Sequence, residues 1–250
     1  MEEEIRDRVA LVTGGSRGIG RAICLRLSSM GASVGVHYNS RKDAALEVKD
    51  AIEEKGGTAI LIQADLSIPG SGSRVVSSAV DILGGIDILV NNAGFMTDSP
   101  VQSMTDEMWE HSLSLNLGSA FRCARAAIPH MKRGGWGRII NLTSQAAYTG
   151  SSNHAHYAAA KAGLLGFTYS LAKELGGFGI TVNAVSPGRI HTDLLAERSG
   201  GREKEWLAQT PLGRFGSPDE VASAVGFLAS AGAAYITGAV LNVNGGQVMG

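Results

Sequence analysis

Cysteine is scarce in this sequence, with two in 250 residues, and net charge is almost absent at −1. No apolar run reaches the roughly 18 residues of an ordinary membrane helix, so no membrane span or membrane partner is expected. Cys24 and Cys123 both fall in helical apolar patterns and are expected as buried, reduced thiols rather than a disulfide. Without a basic excess there is no electrostatic footprint for nucleic acid. The opening MEEEIRDRV is acidic and does not read as a secretory signal, so a cytoplasmic location is expected. No Pro/Ser-rich boundary, internal repeat or low-complexity tract divides residues 1–250, and a single domain of this length is ordinary for an α/β fold. Hydrophobic residues at 44% and charged residues at 18% suit a folded globular chain. Glycine is plentiful at 34 residues, but it gathers at turns and not in a linker.

Short apolar, β-branched runs recur at residues 9–13, 33–37, 59–63, 86–91, 137–142, 180–185 and 240–243. Helix-length segments with apolar residues three and four apart occupy 19–30, 42–55, 69–83, 158–175 and 218–229. Strands alternating with helices imply right-handed crossovers and a parallel sheet covered on both faces. The expectation is one doubly wound, Rossmann-type α/β domain, seven-stranded, with its ligand at the strands' C-terminal ends.

TGGSRGIG, residues 13–20, follows the first strand and opens the first helix. Glycines there admit a phosphate to the backbone, and free N–H groups at a helix start attract its charge. The order is GxxxGxG, which meets the general dinucleotide pattern only loosely. At the second strand's end an NAD site usually carries Asp or Glu for the ribose. Here His37-Tyr38-Asn39-Ser40-Arg41-Lys42 precedes the first carboxylate, Asp43. Arg17, Arg41 and Lys42 suit a 2′-phosphate, although Arg41 and Lys42 also fit the start of an exposed helix. NADP(H) is expected over NAD(H).

Tyr157 and Lys161 stand four residues apart, and Ser144 lies thirteen before the tyrosine. Positions four apart share a helix face. A lysine ammonium there favours tyrosinate and lowers a phenol pKa that starts near roughly 10. Tyr38 with Lys42 and Tyr169 with Lys173 repeat the spacing, so three of five tyrosines match and spacing alone does not choose among them.

With these parts placed, the chain resembles the short-chain dehydrogenase/reductase family over nearly its whole length. TGGSRGIG resembles the family's cofactor turn, NNAG (residues 91–94) the stretch closing the fourth strand, and Pro187-Gly188 the turn near the nicotinamide. The resemblance implies cofactor contacts from Gly14, Ser16, Arg17, Gly18, Ile19 and Gly20, and from Asn39, Ser40 and Arg41. It places Asp65 and Leu66 beside the adenine, and Asn92, Ala93 and Gly94 under the cofactor. Pro187, Gly188, Ile190 and Thr192 join them near the nicotinamide, with Tyr157 and Lys161.

Asn116, Ser144, Tyr157 and Lys161 match the family's four catalytic positions. By resemblance, Ser144 holds the substrate oxygen, Tyr157 protonates it, Lys161 holds the ribose and keeps the tyrosine acidic, and Asn116 anchors a water. Neither Tyr38 nor Tyr169 has a serine thirteen residues before it; Leu25 and His156 stand there instead. On the helix of Tyr157, Tyr169 falls about 120° away from the catalytic face. Asn116 taken without the family match reads more readily as a polar plug in a helix break.

Within the family, the likeness is strongest to bacterial 3-oxoacyl-(acyl-carrier-protein) reductases, through YAAAKAGLLGFTYSLAKEL (157–175), GITVNAVSPG (179–188) and AAYITGAVLNVNGG (233–246). Those reductases commonly bear arginines where this chain has Gly135 and Phe178, with Lys132, Arg133 and Arg138 as nearby alternatives. The expected substrate is therefore a small carbonyl compound or an acyl thioester, without a claim to the carrier-bound form.

Gln145, Tyr148 and His154 are candidate substrate contacts, with Met96 and the segment 189–210 completing the pocket and Trp206 as a lid residue. His154 and His156 lack a partner at metal spacing, so no metal site is expected. A polyol or sugar dehydrogenase working oxidatively would use the same four residues, while a non-catalytic member would usually have lost Tyr or Lys. Family members usually pair through two long helices, here 113–132 and 155–175, and a homotetramer is the expectation.

Overall fold

A computed structural model describes residues 5–192 and 201–249. Seven parallel strands form one sheet in the order β3-β2-β1-β4-β5-β6-β7. They are β1 (Val9–Val12), β2 (Ser33–Tyr38), β3 (Ala59–Gln63), β4 (Ile88–Asn91), β5 (Gly137–Leu142), β6 (Ile180–Pro187) and β7 (Val240–Val243). VALV in β1 and ILVN in β4 are buried at every position, as a sheet covered on both faces requires.

The helices are α1 (Gly18–Ser29), α2 (Lys42–Glu53), α3 (Ser71–Leu83), α4 (Asp106–Leu113), α5 (Ser119–Gly134), α6 (Ala146–Thr149), α7 (Ala155–Leu175), α8 (Glu203–Ala208) and α9 (Pro218–Ala229). A π turn over Ser114–Gly118 joins α4 to α5. Helix α9 begins at Pro218 because Ser217 Oγ accepts the Glu220 N–H while Glu220 Oε2 accepts the Ser217 N–H. That reciprocal cap satisfies donors which a helix start otherwise leaves open.

On one face, Ile23 and Leu27 of α1 and Val221, Val225 and Leu228 of α9 pack on Val34, Val36 and Val90. On the other, Val75, Ala79, Ala127, Met131, Leu171 and Leu175 from α3, α5 and α7 cover Leu11, Leu89 and Ile139. Cys24 and Cys123 are free and buried in these two cores, and burial pushes both thiols well above their ordinary pKa.

Strand β6 runs past the expected end at residue 185, because Ser186 and Pro187 pair with Asn242 and Val243 of β7. Since β1 lies between β2 and β4, the winding reverses there and opens a crevice at the C-terminal ends of β1 and β4. The glycine turn leaves β1 at that crevice, and NNAG leaves β4.

Candidate active site

The turn after β1 folds back on itself. Gly14 has φ +65°, a conformation other residues rarely adopt, and a Cβ on Gly14 would come within 3.1 Å of Ala93 Cα. A Cβ on Gly20 would overlap the Gly14 carbonyl oxygen and come within 2.6 Å of Asn92 Nδ2. Asn92 Nδ2 donates to the carbonyls of Thr13 and Gly14, and Thr13 Oγ1 accepts the N–H groups of Asn92 and Ala93.

Beneath the turn, the Gly14 N–H donates to Nδ1 of His37 over 3.0 Å. The proton of that ring therefore sits on Nε2, 3.1 Å from the Ala64 carbonyl, which accepts it. Burial lowers the His37 pKa to about 4, so the ring is neutral. The result is a glycine-rich backbone cradle at the start of α1, which fits the pyrophosphate of a dinucleotide. Ser16 is buried within it, while Arg17 at the α1 N-cap is exposed.

Asn39, Ser40 and Arg41 lie exposed at the end of β2, Arg41 forming the N-cap of α2. Asp65 Oδ1 accepts both the Oγ–H and the N–H of Ser67, which lowers its pKa. Leu66 is buried, and its carbonyl accepts from Arg122 Nη2, which also donates to the Ser114 carbonyl in the π turn. Arg122 thus joins the loop after β3 to the turn that carries Asn116. Local sequence gives no signal of this link, because Leu66 and Arg122 are far apart in the chain.

Asn116 is buried in the π turn. Its Oδ1 accepts the Phe95 N–H at 3.1 Å, and its Nδ2 donates to the carbonyls of Phe95 and Ser112. It therefore does plug a helix irregularity. It also stands beside Lys161: a Cβ on Gly94 would lie 2.6 Å from Asn116 Oδ1 and 3.5 Å from Lys161 Nζ.

Lys161 is buried, and its Nζ donates to the Leu142 carbonyl over 2.7 Å. Desolvation lowers its pKa from 10.5 to about 8. The Thr143 hydroxyl in turn donates to the Lys161 carbonyl over 2.7 Å. Helix α7 is thereby stapled to the end of β5, the segment that delivers Ser144. Lys161 Nζ lies 5.7 Å from the Tyr157 ring centroid. Ser144 Oγ accepts the Ala146 N–H, and the neighbouring Gln145 N–H donates to the Pro187 carbonyl.

A cavity of about 850 Å³ collects Ser144, Tyr157, Lys161, Gln145, His154 and Met96. Ile19, Asn92, Gly94, Pro187, Gly188, Ile190 and Thr192 line it from the glycine-turn side. Arg17, Asn39, Ser40, Arg41 and Asp65 lie outside this lining, at the ends of β1, β2 and β3. Of the expected substrate contacts, Tyr148 lies outside this lining: α6 brings Ala146 and Thr149 to the cavity and leaves Tyr148 exposed.

His154 has a carboxylate partner that spacing did not reveal, since its Nε2 lies 2.9 Å from Asp98 Oδ1. His156 is buried; its Nδ1 accepts the Tyr157 N–H, so Nε2 carries the proton and donates to Thr97 Oγ1. The decoy tyrosines separate clearly. Tyr38 is buried in the core at the end of β2, and Tyr169 is exposed on α7.

Trp206 lines the cavity together with Arg189, Arg202 and Gln209, three polar residues that sequence reasoning did not single out. Residues 193–200 of the expected lid segment lie outside the described residues. Of the cations near Gly135, Arg138 is buried, stacked on Trp136 and donating to the Gly137 carbonyl, so it cannot meet an external partner. Lys132 sits over the Phe178 ring at 3.9 Å, and Gly135 ends α5 with φ +63°.

A family model described as enoyl-(acyl carrier protein) reductase matches residues 14–247. The chain is 42% identical over 240 residues to a 3-oxoacyl-[acyl-carrier-protein] reductase of Staphylococcus aureus, covering 96% of this chain and 98% of that one. It is 43% identical over 245 residues to the enzyme of the same description from Vibrio cholerae, covering 98% and 99%. The solved structure of a dehydrogenase/reductase from Sinorhizobium meliloti 1021 matches with a TM-score of 0.93 at 35% identity, over 98% of this chain and 97% of that one. With a glycine cradle at the β1–β4 crevice and Ser144, Tyr157 and Lys161 on one cavity, the chain belongs to the short-chain dehydrogenase/reductase family.

Proposed function

We propose that this protein is an NADP(H)-dependent ketoreductase that reduces a ketone or 3-oxoacyl-type carbonyl to a secondary alcohol. The observation that carries the reading is the convergence of Ser144, Tyr157 and Lys161 on a single cavity beside the glycine cradle. The relatives named as 3-oxoacyl reductases support the same reaction class.

When bound, a nicotinamide cofactor supplies the hydride. The Ser144 hydroxyl donates to the substrate's carbonyl oxygen, and Tyr157 gives that oxygen its phenolic proton. An ammonium has three donors, and Lys161 uses one on Leu142, which leaves others for the ribose and for support of the tyrosinate. Asn116 holds the Phe95 backbone, and by the family resemblance it would anchor the water that returns a proton through Lys161. Acid catalysis of this kind contributes on the order of 10²–10⁴-fold, and positioning supplies much of the remainder.

NADP(H) is favoured because Arg17, Asn39, Ser40 and Arg41 are exposed, and no carboxylate stands between the end of β2 and Asp43 to meet the ribose. The substrate is a small carbonyl compound or an acyl thioester. Burial of Arg138 and engagement of Lys132 with Phe178 weaken the case for carrier docking at that face. Of the lid segment expected at 189–210, the described residues 201–210 bring Trp206 to the cavity wall, where it would face the substrate. A homotetramer is proposed, with Phe121 and Tyr169 exposed on the long helices α5 and α7 as contact residues. The cytoplasm is the proposed compartment.

The test is a panel of acetoacetyl thioesters, β-keto esters, diketones and sugars with NADPH and with NADH. Reduction of the keto substrates with NADPH preferred is expected. Oxidation of sugars or polyols without ketone reduction would replace this reading with a polyol dehydrogenase.

A further inference from the structure

The cavity wall opposite the glycine cradle carries an unusual grouping. Two guanidinium groups lie near the ring of Trp206 on α8, Arg189 at 5.1 Å and Arg202 at 5.0 Å from its centroid. All three line the same cavity as Ser144 and Tyr157. Among the described residues, neither arginine forms an ion pair; Arg189 donates to the Trp206 carbonyl and to Gln209 Oε1, both neutral acceptors.

The backbone of Arg189 is clamped. Its carbonyl accepts the Gly216 N–H, and the Gly216 carbonyl accepts the His191 N–H. Two residues earlier, the Pro187 carbonyl accepts the N–H of Gln145, next to Ser144. The arginine is therefore tied to the loop that holds the proposed reacting oxygen, while stacking on Trp206 steadies its planar fork. Two carboxylates lie in the neighbourhood. Asp98 is paired with His154, and Glu205 accepts from Gln209 Nε2 and opposes the lowering of the Arg189 pKa by burial. An arginine stays charged in such surroundings.

We propose that Arg189 and Arg202, both within cation–π distance of Trp206, form a subsite for an anionic group, phosphate or carboxylate, that the substrate carries away from its carbonyl. A guanidinium fork with no ion-paired carboxylate among the described residues is suited to such a group. Arg202 is exposed and Arg189 half-buried, so the subsite lies on the solvent side of the cavity, where the distal end of an elongated substrate emerges. The proposal deepens the ketoreductase reading and rests on it for the reacting end.

Matched substrates test it. Acetoacetyl-phosphopantetheine and acetoacetyl-pantetheine differ by one phosphate, and monoethyl and diethyl 3-oxoadipate differ by one free carboxylate. The full-chain enzyme is expected to give a higher kcat/KM for the charged member of at least one pair, which identifies the anion. In Arg189→Ala the charged-to-neutral ratio of kcat/KM should fall on the order of tenfold to a hundredfold. Arg189→Lys should retain part of that ratio, Arg202→Ala should reduce it, and added salt should lower it in the wild type.

Taking ratios removes any general loss of active enzyme. Equal ratios in wild type and Arg189→Ala, or no wild-type preference in either pair, would overturn the proposal. If no ketone is reduced, the ketoreductase reading fails separately. Calorimetric binding of phosphopantetheine and of adipate to the NADPH-mixed protein then decides the subsite. Loss of that binding in Arg189→Ala supports it, and binding that is absent or unaltered refutes it.

Discussion

Nζ of Lys161 donates to the carbonyl of Leu142 over 2.7 Å, at the last residue of the strand that leads into Ser144. A buried ammonium is held there by a neutral acceptor, so its charge is disfavoured relative to water. Its pKa falls from 10.5 to about 8 because of desolvation.

The first prediction follows from that shift. Between about 8 and 10.5 the unfolded chain keeps a proton that the folded chain has released, so this residue makes stability rise with pH across the window. Urea unfolding of wild type and Lys161→Met at both ends of the window should show the wild type gaining on the variant as pH rises, on the order of 1–3 kcal/mol, because the destabilising ionisation of the two buried thiols is common to both. Equal pH slopes would mean that Lys161 titrates normally. The same variant should lose at least about a hundredfold in kcat/KM.

His37 gives the complementary acid-side prediction. Its folded pKa is about 4 against an ordinary 6.5, so on acidification through that window the unfolded chain takes up a proton first and stability falls. His37→Leu strands the Gly14 N–H and should cost about 1–3 kcal/mol near neutral pH. That deficit should shrink towards pH 4, as the wild type loses the contribution the variant lacks. Denaturant midpoints at several pH values measure it, and a deficit that does not vary with pH would contradict the neutral, buried ring.

Gly20→Ala sets two effects against each other. Alanine favours a helix over glycine by about 1 kcal/mol. The new Cβ, however, would overlap the Gly14 carbonyl oxygen and crowd Asn92 Nδ2. Overpacking of this kind costs about 1–3 kcal/mol. Crowding should prevail, with a lower melting temperature and roughly tenfold weaker NADPH binding by fluorescence titration. Unchanged binding would show that the turn does not cradle the cofactor.

Arg41→Ala addresses cofactor choice. Loss of a charge-assisted contact should raise the KM for NADPH about tenfold while leaving that for NADH nearly unchanged. An equal rise for both cofactors, or none, would mean that Arg41 only decorates the start of α2.

The alternating strands were legible because each is short, apolar and bounded by turns. Their burial on both faces follows directly from runs such as VALV and ILVN. The glycine cradle was legible because its geometry is local, whereas the Tyr157–Lys161 pair stood out from two equal spacings only through the family resemblance. Links across the chain were not. The Asp98 partner of His154, the Arg122 bond to Leu66 and the Arg189–Trp206–Arg202 stack join residues that only the fold brings together. The exposure of Tyr148 was not legible for the converse reason: nearness in sequence to Ser144 does not fix which side of a one-turn helix faces the cavity.

The central claim is that Tyr157 is the proton donor in NADPH-dependent carbonyl reduction. Single-turnover reduction of an acetoacetyl thioester by wild type and Tyr157→Phe, with NADPH affinity measured in parallel, tests it most directly. A loss of rate of at least about 10²-fold at near-normal NADPH affinity is the predicted result. An unchanged rate would contradict the account.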